Sequence, residues 1–365
     1  MITPDLSTPR IWLLLSDKLG DNAQVEIIAE ALGLPYEIRR VYPLEQYVLG
    51  KPPFRPSLYH LDRERSDPLA PPWPDLIITI GRRPAMAAMW VRQQSGGRTK
   101  VVLLGRPKRM LEQYALVIAT AQYCLPERPN VLHLDLPLMR GNEAAIAAAT
   151  QRWQARLAGL PRPLTALLVG GPTKPFVFDA GVARELARQA LAAAEGGTLY
   201  VTTSRRTPAP VVQALEEALS GRARFYRWGD APEDNPYQAL LGLADRFIVT
   251  GDSISMMVEV ARLGKPLAIF ALPRQQGPLA GLRQGLANLL HPPAGGEGRG
   301  GALRIVGDLL YRVGLVSYSR DLTALHRLLM EKGLAVPLGE PFPAGGAKVP
   351  DELPQVVARI RALLK

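Results

Sequence analysis

Cysteine is almost missing: Cys124 is the sole thiol in 365 residues, so no disulfide can form within the chain. One unpaired thiol fits a reducing compartment. Histidine is scarce and dispersed, at His60, His133, His291 and His326, and there is neither a cysteine pair nor an Asp-x-Asp, so no dedicated metal centre is expected. No Gly-x-Gly-x-x-Gly fingerprint follows any of the strands proposed below, which counts against a nicotinamide dehydrogenase. The chain also lacks long apolar runs. Its N-terminal one, Ile11 to Leu15, is shorter than the roughly 7–15 residues of a signal-peptide core, and none approaches the roughly 20 of a membrane helix. A soluble, unsecreted, cytoplasmic protein is the expectation.

What is present is length, proline, glycine and positive charge. A chain of 365 residues exceeds the roughly 250–300 at which one hydrophobic core stops growing, so two domains are expected. Gly 33 and Pro 34 are many for a globular protein but too few for a low-complexity chain. The net charge of +11 suits an anionic membrane face, a phosphate-bearing substrate or nucleic acid, since one field attracts all three. No recognised nucleic-acid-binding module accompanies the charge, so nucleic acid is the weakest of these partners.

Apolar β-rich runs alternate with helix-period segments, the pattern of parallel α/β sheets. Strands are predicted over 10–15, 36–41, 75–80, 99–104, 115–119 and 131–134, with helices over 22–32, 84–94 and, closing this half, 143–157. Pro161 and Pro163 then mark a linker. The alternation restarts with strands over 164–169, 198–203, 222–227, 246–250 and 267–270 and helices over 179–194, 209–219, 236–243 and 253–263. Helices over 303–313, 321–331 and 351–364 follow. Two proline-rich segments, 51–74 and 338–350, read as surface loops. The domains expected are 1–160, 161–335, and a terminal loop and helix over 336–365 that packs back on the first.

In open parallel sheets ligands bind beyond the carboxyl ends of the strands. Gly170-Gly171-Pro172-Thr173-Lys174 follows the first strand of the second half; glycine lets backbone amides approach an anion and Lys174 adds a charge, although the spacing is not that of a P-loop. Thr202-Thr203-Ser204-Arg205-Arg206-Thr207-Pro208 sets hydroxyls and guanidiniums at a helix start, which suits a diphosphate as well as a plain capped helix. Thr250-Gly251-Asp252-Ser253-Ile254-Ser255-Met256 does the same, and Glu259 on the following helix could accept ribose hydroxyls or stand in solvent. Trp228 to Tyr237 is a loop whose aromatics could pack on a base, while Asn235 before Pro236 serves as a cap. Three phosphate-compatible loops on one sheet converge on a shared crevice.

In the first half, Ser16-Asp17-Lys18-Leu19-Gly20-Asp21-Asn22-Ala23-Gln24 and Gly81-Arg82-Arg83-Pro84 follow strands and could hold an acceptor. Asp17 or Asp21 could act as a general base, or merely cap a helix. His133 is a further base candidate set against an ordinary core or surface histidine. Arg82, Arg83, Arg92, Arg98, Lys100, Arg106, Lys108 and Arg109 run without one acidic residue between them. Met86, Met89 and Trp90 recur there at helical spacing; exposed, they would suit anionic lipid, and buried, a core.

The ordered set Gly170-Gly171-Pro172-Thr173-Lys174, Ser204-Arg205-Arg206-Thr207-Pro208, Asn235-Pro236-Tyr237 and Asp252-Ser253-Ile254-Ser255-Met256 with Glu259 resembles the mitochondrial-fission ELM family. Ser16-Asp17 with Gly20 and Gln24, and Gly81-Arg82-Arg83, extend the likeness, which runs to about Pro273. The family is similar to the two-domain GT-B architecture of nucleotide-sugar glycosyltransferases. The resemblance implies an α/β fold of two Rossmann-like, doubly wound domains facing a cleft.

By the same resemblance Ser204, Arg205, Ser253, Ser255 and Met256 would surround the donor diphosphate, with Glu259 at the ribose; Gly171, Thr173, Lys174, Arg206, Asn235, Tyr237 and Asp252 complete the expected nucleotide-sugar site. Ser16, Gly20, Gln24, Gly81 and Arg82 are expected on the acceptor side, and Asp17 and Asp21, read from the loop itself, are the catalytic candidates. It implies no metal and no cofactor besides the nucleotide-sugar substrate. Gly20 is followed by Asp21-Asn22 where a small or His-type residue is the family expectation. A metal-independent glycosyltransferase, with 82–109 as its candidate attachment to the inner membrane face, is the leading expectation. A nucleotide-sugar epimerase and a non-catalytic recruitment protein are the alternatives.

Overall fold

The computed structural model describes residues 8–48, 52–139, 142–275, 307, 309–311, 318, 320–347 and 349–365. The helix expected over 303–313 lies mostly outside them. Contacts divide the chain into two compact units, 1–138 with 279–321 and 351–365, and 139–278 with 322–350.

The first unit is built on six parallel strands, β1 (Ile11–Leu15), β2 (Tyr36–Arg40), β3 (Leu76–Ile80), β4 (Lys100–Leu104), β5 (Leu116–Thr120) and β6 (Val131–Leu134), in the order β2-β1-β3-β4-β5-β6. Ile11 is the partner of both Tyr36 and Leu76, which sets the register at the centre. Strands covered on both faces read as near-continuous apolar runs, and IWLLL and LIITI are buried at every position. The side chains alternate between two cores. Trp12, Leu14, Ile77 and Val101 pack with α2 (Arg82–Gln94), whereas Ile11, Leu13, Leu76 and Ile78 pack with α1 (Leu19–Leu32) and the C-terminal helix α9 (Leu353–Leu364). The chain's last helix thus returns to this unit, and Glu352 accepts the amides of Asp135 and Leu136 at 2.9 and 3.2 Å.

The second unit holds β7 (Leu164–Leu168), β8 (Thr198–Thr202), β9 (Arg224–Tyr226), β10 (Arg246–Thr250), β11 (Leu267–Phe270) and a short β12 (Val336–Pro337), all parallel, in the order β12-β11-β10-β7-β8-β9. Counted from its own first strand and read from β9, that is 3-2-1-4-5-6, the order of doubly wound mononucleotide folds. The crossovers are α4 (Ala180–Ala193), α5 (Ala209–Leu219), α6 (Tyr237–Leu243) and α7 (Ile254–Arg262), and α8 (Leu322–Glu331) leads into β12. Two Rossmann-like domains, the architecture expected from the alternation, are therefore present. Each sheet reverses strand order once, between β1 and β3 and between β7 and β10.

Three differences from the sequence reading have physical causes. Helix α3 (Glu143–Leu157), expected to close the first half, packs on α6 in the second unit; Gly242 lets the helices approach so closely that an added Cβ would stand 2.0 Å from Thr150 Oγ1. Residues 52–74 carry no helix or named strand but are more than a surface loop, because Phe54, His60 and Leu61 are buried and Trp73 packs edge-on against Trp12 and Trp90. Met86 and Met89 are fully buried, so the stretch from Arg82 to Arg109 does not present an apolar face with its charges.

Candidate functional site

The switch point of the second sheet falls where the sequence is most polar. Immediately after β7, Gly170 donates its amide to Thr250 Oγ1 and Gly171 donates to Asp252 Oδ2, each at 2.8 Å, so the β7 loop is sewn to the end of β10. A Cβ on Gly170 would lie 2.4 Å from Asp252 Oδ2, and one on Gly171 2.1 Å from the Arg206 carbonyl oxygen. Glycine is required at both by close approach. Thr207 Oγ1 donates to the Gly170 carbonyl at 2.6 Å and accepts the Ser204 amide at 2.9 Å, tying in the β8 loop. Arg206 donates to Thr173 Oγ1 at 2.8 Å and reaches Asp252 at 3.5 Å.

The three loops are thus one hydrogen-bonded frame. Thr173, Arg206 and Asp252, expected to touch ligand, spend contacts on each other. Burial pushes the Asp252 carboxyl above the usual aspartate range, against the hydrogen bonds and the nearby guanidinium that pull it down.

Beside this frame opens a cavity of about 640 Å³. Ser204, Asn235, Tyr237 and Met256, all expected at the site, line it together with Thr202, Thr203, Trp228 and Gln238, and α3 supplies the remaining wall through Ala145, Ala148, Ala149 and Arg152. Thr203 Oγ1 accepts the Trp228 amide at 2.9 Å and so pins the aromatic loop to the end of β8, while the Trp228 indole is half exposed. Asn235 Oδ1 accepts the Tyr237 amide at 3.0 Å, fixing the turn that leads into α6 through Pro236. Tyr237 donates its phenol to Glu259 Oε2 at 2.6 Å.

Glu259 therefore stands behind Tyr237 and is absent from the cavity lining. Burial raises the pKa of its carboxyl, the phenol's hydrogen bond opposing, and burial together with the carboxylate raises that of Tyr237. The buried polar atoms without a hydrogen-bond partner among the described residues include Gln238 Oε1 at the lining, Asp252 Oδ1 in the frame and Ser253 Oγ at the start of α7. Arg205 and Lys174 are exposed, and Ser255 is half-buried on the first turn of α7.

The alanine wall and Arg152 escaped the sequence reading because α3 had been placed with the first sheet. Their signal was a stripe of small residues at Ala145, Ala148 and Ala149, continued on the same helix face by Arg152.

In the first unit, Ser16, Asp17, Asp21, Gly81 and Arg82 come together around a second cavity of about 540 Å³ at the β1–β3 switch. Helix α1 begins a turn earlier than expected, at Leu19, so Asp21 lies in its first turn, where burial pushes its carboxyl up against the opposing pull of Lys18. Asn22, not expected at the site, donates to the Ser16 carbonyl at 2.8 Å and accepts its amide at 3.1 Å, fixing the β1 loop. Gln24 is not among the described lining residues. His133 sits exposed on β6, away from both linings. Among the described residues no group of histidine, cysteine, aspartate and glutamate could hold a metal, and no helix is long and apolar enough to cross a membrane.

Known proteins resemble this chain over most of its length. The family described as Mitochondrial fission ELM1 matches residues 20–289. The mitochondrial fission protein ELM1 of Arabidopsis thaliana is 26% identical over 219 residues, 54% of this chain and 51% of that protein, so the matched part spans about half the plant protein's length. An uncharacterized protein of Rickettsia prowazekii (strain Madrid E) is 27% identical over 306 residues, 72% of this chain and 83% of that one. Among solved structures, the UDP-GlcNAc 2-epimerase of Neisseria meningitidis bound to UDP-GlcNAc is 10% identical with a TM-score of 0.43, covering 88% of this chain and 99% of that one. A UGT transferase of Siraitia grosvenorii in complex with UDP is 10% identical with a TM-score of 0.46, covering 98% and 100%.

Proposed function

The chain belongs to the mitochondrial fission ELM1 family, and from that premise we propose that it is a metal-independent glycosyltransferase that binds a nucleotide-diphospho-sugar in the cavity of its second unit. The observation that carries the reading is the lining of that cavity. Hydroxyls of Thr202, Thr203 and Ser204 and the Arg152 guanidinium offer donors to a diphosphate, the half-exposed Trp228 indole offers a face to a base, and Gln238 Oε1 is a buried acceptor awaiting a donor. Cationic and hydroxyl donors of this kind would stabilise a leaving diphosphate without a metal ion.

Among the described residues no carboxylate lines the cavity, which favours transfer over epimerisation, since epimerisation needs acid and base groups around the sugar. The carboxylates lie in the first unit, where Asp21, held above the usual aspartate range by burial, is the proposed general base toward an acceptor hydroxyl, with Asp17 beside it. Attachment to an anionic membrane face is a narrower proposal. It rests on the exposed cations Arg98, Lys100 and Arg109 alone, because Met86 and Met89 are buried.

The test is a thermal-shift panel of UDP, GDP, ADP and CMP compounds, run with the wild type and with Ser204→Ala and Trp228→Ala, followed by assays of sugar transfer and hydrolysis in EDTA. Stabilisation by one nucleotide that both variants weaken, with transfer surviving chelation, is the expected result. Absence of any nucleotide effect sinks the enzyme reading. Stabilisation without turnover leaves a nucleotide-binding recruitment protein.

A further inference from the structure

The cavity of the first unit is unusual in its charge. Five cationic side chains, Lys18, Arg82, Arg83, Arg106 and Lys108, line it against two carboxylates, Asp17 and Asp21. Among the described residues none of the Arg82, Arg83 and Arg106 guanidiniums has a carboxylate within ion-pair distance; Arg83 donates to the Val48 carbonyl at 3.0 Å and Arg106 to that of Tyr318. Arg82 Nε and Arg83 Nη1 are buried with no hydrogen-bond partner among the described residues. Burial lowers the pKa of both Arg82 and Arg106, the mark of cations removed from water without a counter-charge.

The backbone adds to this. Helix α2, 13 residues long, opens at Gly81 with φ 87°, has no side-chain cap and has no acidic residue in its first turn, so its positive end is left uncompensated at the same place. Desolvated cations are costly unless an anion completes them. The rest of the lining is apolar, including Val41, Pro43 and Ile80, and the volume of about 540 Å³ exceeds that of a lone ion.

We infer that this cavity is a separate oxyanion site that takes the phosphate or diphosphate group of a ligand whose remaining body is apolar or neutral. The inference deepens the proposed function by giving the first unit's acceptor a phosphoryl group. It rests on that reading only for the role of acceptor, since binding is measured without turnover.

The same head group could belong to a soluble phosphorylated compound or to a lipid. The probes are therefore inorganic pyrophosphate in solution, by calorimetry with UDP present at saturation, and phosphatidylcholine vesicles with and without phosphatidate, by co-sedimentation. At least one probe should bind, with Arg82→Gln lowering affinity about tenfold or more and Arg82→Lys recovering part of it. Pyrophosphate binding points to a soluble ligand, and binding of phosphatidate vesicles alone to a lipid.

No binding of either probe, or equal binding by Arg82→Gln, overturns the inference. Nucleotide stabilisation, scored separately, can fail while this site stands, or stand while this site fails. If Arg82→Gln does not fold, phenylglyoxal labelling of the wild type decides: protection of Arg82 and Arg83 by pyrophosphate supports the site, and unprotected labelling overturns it.

Discussion

Asp252 Oδ2 accepts the backbone amide of Gly171 at 2.8 Å across 81 residues of sequence, joining the ends of β7 and β10 at the point where the sheet reverses order. The contact fixes the frame on which the neighbouring cavity is built. Removal of the carboxylate in Asp252→Ala leaves a buried amide unsatisfied and should cost about 1–3 kcal/mol in denaturant unfolding. Asp252→Asn keeps an acceptor and should cost less. Because burial raises the folded-state pKa above the unfolded 3.8, the folded protein holds this proton more tightly. This group's contribution is then greatest below that value and declines as pH rises through the folded pKa. Wild type and Asp252→Asn should diverge in that window, with the wild type losing stability relative to the variant as pH rises; parallel curves would contradict the assignment.

Gly171→Ala places a Cβ 2.1 Å from the Arg206 carbonyl oxygen, a backbone atom that cannot rotate away. Gly170→Ala meets the Asp252 carboxylate at 2.4 Å, a side chain with some freedom. The first substitution should therefore be the more damaging, several kcal/mol or failure to fold, by the measure of overpacked interiors. Gly159 has nothing within 4 Å of an added Cβ, so Gly159→Ala should stay within about 0.5 kcal/mol of wild type. Chemical denaturation of the three variants gives the order directly.

The phenol of Tyr237 is buried and donates to Glu259, so each substitution at the pair strands or spares the other group. Glu259→Ala leaves the phenol without its acceptor and should lower stability by about 1–3 kcal/mol, while Tyr237→Phe leaves a buried carboxyl that can take up a proton and should cost less at low pH than at high. Glu259→Gln should keep most of the stability and remove the pH dependence. The cavity wall at Tyr237 moves with its partner. Nucleotide affinity should accordingly fall in Glu259→Ala although Glu259 lines no part of the cavity.

The strands were legible because both sheets are covered on both faces, and runs such as IWLLL and LIITI can be little else. The loops were legible for a related reason: small and hydroxyl residues between a buried strand and a helix have no packing role to explain them. What the sequence could not carry was long-range pairing. The Ala-rich α3 is equally good helix beside either sheet, and its partner α6 is chosen through Gly242, one residue 92 positions after Thr150. The same limit hid the split of roles at the site. Arg206, Asp252 and Glu259 look like ligand contacts in a string of letters, yet geometry turns them toward Thr173, Gly171 and Tyr237. Met86 and Met89 could be resolved as core only once α2 had a sheet to lie on.

Trp228 is half exposed and its amide, not its ring, is held by Thr203. Loss of the ring should leave folding unchanged within about 0.5 kcal/mol, since little apolar area is buried by it. If a base stacks there, Trp228→Ala should weaken nucleotide binding by about 1–2 kcal/mol, roughly five- to thirtyfold, and Trp228→Tyr should recover most of the loss. Equal nucleotide affinity in wild type and Trp228→Ala would place the base elsewhere.

The seam between α3 and α6 gives a test of the cavity that does not touch its polar groups. Gly242→Ala sets a methyl 2.0 Å from Thr150 Oγ1 and 3.3 Å from its Cβ, so α3 must move outward, carrying Ala145, Ala149 and Arg152 with it. Overpacking of this kind costs about 1–3 kcal/mol, and a displaced wall should weaken nucleotide binding as well as stability. Thr150→Ala removes the hydroxyl responsible and leaves the milder contact. The double variant should therefore recover much of both losses, a coupling of about 0.5–3 kcal/mol between two residues that line no part of the site. Recovery of stability without recovery of nucleotide affinity would separate the helix seam from the cavity and place the ligand away from α3.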